Sequence, residues 1–242
     1  MADGLLMFAK YAFPPNFLQL CGPRENNVIF EILTDGEFRS DIGELKEALL
    51  QFEGAVPYLR LIAETNGIKD IFDSKVVEAY WLGNNFLKKV EMKDVFSHLE
   101  KRFKRSIKKK DWFWLVSQSV PQAKPFHGFH VFDIYRRAGL LRSGETKNFL
   151  ETMDKCRIGW GRVESVYSGM ALANYTPLEF KEGKLGFGEI KTKRFFILDP
   201  LIKKDDEVSL HWEYICDKIT PMQKRNLIYW TNYHLRLANQ TF

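Results

Sequence analysis

Two side chains carry the chemistry that stands out in this sequence, the thiol of Cys156 and the imidazole of His211, 55 residues further on. A thiolate and an imidazole together make a soft donor pair suited to iron, and a neighbouring base helps to hold the thiol deprotonated. His127 and His130 form a second candidate pair: standing three apart on a helix or in a turn, two imidazoles reach one metal. Cys156 and His211 could also pair as nucleophile and base, but no third orienting residue and no protease or transferase signature surrounds either one. Cys21, in a Cys-Gly-Pro turn, reads as a buried thiol, and Cys216 as helix packing.

The elements that must position these groups change character along the chain. After Gly159 and Gly161, Val163, Ser165 and Tyr167 alternate with Glu164 and Val166. The runs MALANYTPLEF, KLGFGEI, RFFILD and EVSLHW follow with turn residues between them, and a helix begins near Pro221. Five short strands and a closing helix predict a small antiparallel barrel of the OB type over 156–215 and a helix over 220–238. Cys156 then opens one strand and His211 ends another. Both reach one accessible rim, where Trp160 and Gly161 shape the approach of a partner.

This segment, about 154–230, resembles the HypC-type chaperone of nickel-iron hydrogenase maturation. The resemblance is carried by Cys156-Arg157-Ile158-Gly159-Trp160-Gly161-Arg162-Val163, by Asp205-Asp206-Glu207-Val208-Ser209-Leu210-His211, and by Asp217-Lys218-Ile219 opening the last helix. Cys156 is internal here and Trp160 stands where that family has proline. The resemblance implies a chaperone or scaffold whose Cys156 and His211 transiently hold iron with its cyanide and carbonyl ligands. It also implies a protein partner, a hydrogenase large subunit or a maturation factor.

Residues 1–120 read as an all-helical domain. Asp3 to Ala12 has helical spacing, with Pro14-Pro15 as its stop; Ile42 to Phe52 shows one apolar face; Pro57 opens a helix that Asn66-Gly67 closes; and Ser74 caps the next. Glu78, in that apolar helix, reads as a paired structural carboxylate. Residues 101–110 hold seven bases, Lys108, Lys109 and Lys110 among them, followed by Trp112, Phe113 and Trp114. A solvated helix end accounts for them, and so does a phosphate contact with base stacking. The all-helical pattern stops near Pro121. A connecting segment, 121–153, then bears His127 and His130 and delivers a short helix, Thr146 to Met153.

Composition bounds the rest. In 242 residues, 45% are hydrophobic, enough for a core of one large domain or two small ones. Of the net charge of +5, residues 1–120 contribute nothing, with 17 basic and 17 acidic residues, so the excess belongs to the barrel half. Three cysteines without paired spacing and no signal-peptide pattern predict a reducing cytoplasm. No apolar run approaches the ~20 residues of a membrane span, so no membrane insertion is expected. No phosphate-binding glycine loop is present, which argues against ATP chemistry. The sequence thus predicts an α+β protein that is no enzyme by itself, and the resemblance implies a role in hydrogenase maturation. The alternatives are an OB-type nucleic-acid binder using Lys108 to Lys110, and an accessory subunit of a larger metalloenzyme complex.

Overall fold

Helix α1 spans Ala2–Phe17 and contains both Pro14 and Pro15, so the prolines read as its stop lie inside it. Proline supplies no amide donor, yet its fixed φ suits a helix, and the helix continues where the carbonyls left over find other partners. Those carbonyls belong to Lys10 and Tyr11, one turn upstream. The computed structural model describes residues 2–24, 27–34, 42–91, 94, 97, 122–135 and 146–241. The basic run 101–110 and Trp112 to Trp114 fall outside them, as does Pro121 at the expected boundary.

Among the described residues α1 packs against α2 (Asn27–Thr34), α3 (Ile42–Leu50) and α5 (Ser74–Trp81), while α4 (Val56–Asn66) and α6 (Phe86–Lys89) pack against α5. Helix α4 begins at Val56 with Pro57 in its first turn and stops at Gly67, whose left-handed φ of 70° lets its amide reach the Ala63 and Glu64 carbonyls. The cap of α5 is Asp73, whose carboxylate accepts the Lys75 amide at 2.9 Å; Ser74, the expected cap, is already helical. Glu78 is paired, accepting from Gln223 Nε2 at 2.9 Å and from Asn84 Nδ2 at 3.3 Å.

After α5 the chain turns at Gly83, where φ is +80° and a Cβ would lie 2.1 Å from the Trp230 ring. Gly83→Ala combines left-handed strain with overpacking. It should lower the unfolding free energy by about 2–4 kcal/mol, read from urea denaturation.

The helices α7 (His127–Phe129), which runs on into a π-helical stretch (His130–Tyr135), and α8 (Thr146–Cys156) lead to the strands. These are β1 (Gly159–Tyr167), β2 (Met170–Tyr175), β3 (Leu178–Lys181), β4 (Lys184–Phe187), β5 (Lys191–Ile197), β6 (Glu207–His211) and β7 (Tyr214–Lys218). Five close into a barrel in the order β1-β2-β5-β7-β6, while β3 and β4 form a separate hairpin. The class is α+β, with a closed barrel followed by α9 (Pro221–Ala238). Thr220 caps α9 in a reciprocal capping box with Gln223.

The KLGFGEI run, read as a barrel strand, is β4 of the separate hairpin, and β7 takes its place in the barrel. Two further details differ from the sequence reading. The pair β5–β7 is parallel, so the barrel is mixed rather than wholly antiparallel. Asp217-Lys218 also ends β7 instead of opening the last helix. The hairpin His211-Trp212-Glu213-Tyr214 explains the second: Trp212 and Glu213 sit at φ 46° and 70°, a primed two-residue turn without the usual Asn or Gly to signal it.

Helix α1 lies against this hairpin. Tyr11 and Ser209 share a hydroxyl hydrogen bond at 2.7 Å, and the Lys10 ammonium pairs with Asp217 at 3.0 Å and Asp199 at 3.4 Å. One apolar core runs from Leu5, Phe8 and Trp81 in the helices to Ile158, Cys216 and Ile219 beside the barrel, and on to Trp230 of α9.

Candidate metal centre

Cys156 is the last residue of α8, not the first of a strand, which begins at Gly159. Phe149, Met153 and Cys156 recur at helical spacing on one apolar face, and that pattern carries the helix past Met153. As a C-terminal residue, Cys156 has a carbonyl without an intrahelical partner. His127 takes it: Nε2–H donates to the Cys156 carbonyl at 2.8 Å, which fixes the tautomer and leaves the Nδ1 lone pair facing the Tyr80 hydroxyl at 3.2 Å.

His211 is oriented in the same way by a different helix. Pro15 cannot donate to the carbonyl of Tyr11, so this carbonyl is open, and His211 Nδ1–H donates to it at 2.8 Å. His211 Nε2 is left as a buried lone pair with no hydrogen-bond partner. An imidazole held by one ring nitrogen on a carbonyl, with the other exposed to a neighbour, is the arrangement metal-binding histidines adopt.

Among the described residues, His127, Cys156 and His211 form one cluster whose ligand atoms lie within 4.8 Å of one another. Zinc-like bond lengths of about 2.0 Å to nitrogen and 2.3 Å to sulfur place tetrahedral ligand atoms roughly 3.5 Å apart, so the cluster needs to close by about 1 Å around an ion. The two histidine rings stand 5.4 Å apart at 78°, and Trp81 packs over both, at 4.7 and 5.7 Å.

Burial sets the protonation states. It lowers the His127 pKa to about 4, against the hydrogen bond to Cys156. It lowers that of His211 to about 3, helped by the neighbouring His127. Both imidazoles are neutral at pH 7, the state a metal ligand needs; His211 offers a free nitrogen, whereas His127 offers Nδ1 by giving up its contact with the Tyr80 hydroxyl. Burial also pushes the Cys156 thiol up to about 12, with the indole N–H of Trp212 acting in the opposite direction. The thiol therefore keeps its proton until a cation replaces it.

A cavity of about 190 Å³ adjoins the cluster, lined also by Cys21, Phe52, Tyr80, Trp81, His130 and Trp212. The sequence pair Cys156 and His211 is thus brought together, but under α1 and α5 rather than on an open rim. His127 joins them, whereas His130 lines the cavity outside the cluster. Trp160 and Gly161 do not shape the approach. Trp160 packs on Phe187 at 5.3 Å and under the Arg157 guanidinium, and Gly161 lets β1 approach β2, since a Cβ there would lie 2.3 Å from the Asn174 carbonyl. Cys216 is buried in β7, in strand rather than helix packing. Lys108, Lys109 and Lys110 lie outside the described residues. Among the described residues no helix is long and apolar enough to cross a membrane.

Fold and site together define an α+β protein in which a barrel and a helical layer enclose a thiol–imidazole cluster. Over residues 1–242 the chain belongs to DUF6390, a family of unknown function. No curated protein and no solved structure matches it.

Proposed function

We propose that this protein binds a soft or borderline transition metal, of the zinc or iron kind, through Cys156, His127 and His211. The observation that carries this reading is the convergence of three ligand atoms within 4.8 Å, with His211 Nε2 buried and unpartnered. A lone pair in that position costs free energy unless something accepts it, and a metal ion does.

The narrower form of the proposal is drawn from the sequence resemblance: the metal is iron with cyanide and carbonyl ligands, handled during maturation of a nickel-iron hydrogenase. Burial of His127 and His211 beneath α1 and α5 favours a resident ion over rapid hand-over. That feature suits an accessory metalloprotein subunit as well as a chaperone.

Cobalt(II) tests the general proposal. Wild-type protein should take up one equivalent and develop a thiolate-to-cobalt charge-transfer band, whose absorbance per metal falls by half or more in Cys156→Ala. Wild type that binds no cobalt, or absorbance per metal unchanged in Cys156→Ala, would exclude the centre. Infrared bands of iron-bound cyanide and carbonyl in protein isolated from a hydrogenase-producing host would support the narrower form, and zinc alone in that isolate would count against it.

A further inference from the structure

Three ligands leave a tetrahedral ion one position short, and a second thiol lines the same cavity. We propose that Cys21 is the fourth ligand of this centre, completing a two-cysteine, two-histidine site for a divalent ion such as zinc. The inference rests on the three-ligand reading above.

Cys21 lies in the turn that follows α1, and its placement is built into that turn. The Asn16 amide donates to the Cys21 carbonyl and to the Pro23 carbonyl, each at 2.8 Å. Gly22 adopts φ +84° with the Phe52 ring and Asn16 filling the space a Cβ would need. The backbone is pinned on both sides of Cys21, which leaves side-chain rotation as the freedom available to its sulfur.

The second observation is independent of the cysteine. His211, 2% exposed, presents an unpartnered Nε2 at the wall of the cavity that Cys21 also lines. A cation held by that nitrogen stands beside the cavity, within the space that Cys21 also lines. Both thiols are free and line the same cavity; Cys21 stands outside the 4.8 Å cluster and reaches it by rotating its side chain. A divalent cation between two thiolates offsets their mutual repulsion. Cys21 is exposed on its outer side, which supplies an entry path for the ion.

Two measurements decide the matter. In cobalt-loaded protein the charge-transfer absorbance per metal should fall by about half in Cys21→Ala, as one of two thiolates is lost. In wild-type protein, N-ethylmaleimide should modify Cys21 measurably when metal is absent, at a pace set by a thiol whose pKa burial raises to about 11, and several-fold more slowly when one equivalent of zinc is bound. The second reading needs no variant, so it holds even where Cys21→Ala folds poorly. Unchanged absorbance per metal in a folded Cys21→Ala, or equal alkylation of Cys21 with and without zinc, overturns the fourth-ligand assignment and leaves the three-ligand centre standing. Wild type that binds no cobalt removes both.

Discussion

Metal-free protein taken from pH 7 to about pH 4.5 should lose on the order of 5 kcal/mol of unfolding free energy. The cause is three imidazoles buried in the neutral form. Burial lowers His127 to about 4, His211 to about 3 and His234 to about 4. In the unfolded chain each titrates near 6.5, so below that pH the unfolded state binds protons that the folded state refuses. The stability is fully present above about pH 6.5 and is lost as pH falls toward the folded values, on the order of 2 kcal/mol per imidazole, less where His127 and His211 couple.

His234 shows why the folded state refuses the proton. Its Nδ1–H donates to the Trp230 carbonyl at 2.9 Å, and its Nε2 accepts the Lys124 amide at 3.2 Å, so a proton on Nε2 would face another donor. Paired carboxylates such as Glu213 beside Lys193 are held below their ordinary range and lose their contribution only in more acid solution, which separates the two windows. Urea denaturation across this range is the measurement, and His234→Gln should flatten part of the slope. Equal stability at pH 7 and about pH 5 would show that these imidazoles are not buried as neutral groups.

Zinc at about a thousand times its dissociation constant should raise the unfolding free energy by about 4 kcal/mol, because only the folded state assembles the ligands. His211→Ala and Cys156→Ala should abolish that increment. The apparent affinity should climb by about tenfold or more per pH unit near neutrality, since Cys156 must release its proton to the solvent when the ion binds. Thermal or urea midpoints with and without zinc give the increment. The same increment in Cys156→Ala would place the ion elsewhere in the protein.

The α+β class, the barrel, the start of α9 at Pro221 and the pairing of Cys156 with His211 were legible in the residues. Strand alternation, a capping Thr followed by Pro, and the apolar faces of helices are local patterns that short-range sterics and hydrogen bonding impose. The third member of the cluster was half legible: His127 and His130 were singled out together, but only the packing of α7 against Trp81 and the end of α8 brings His127 into it. The hairpin that carries His211 was hidden because Trp212 and Glu213 take left-handed φ without the residue types that advertise it.

One signal was present and passed unread. Pro15 strips the Tyr11 carbonyl of its helical donor, but a sequence shows only that a carbonyl is left over. That His211, 200 residues away, fills it at 2.8 Å is a product of α1 docking on the barrel. The residue types of the site belong to the sequence alone. Their burial, their protonation states and the open nitrogen of His211 arise only when two distant helix ends supply the carbonyls that orient the rings, because such contacts depend on packing that no local pattern encodes.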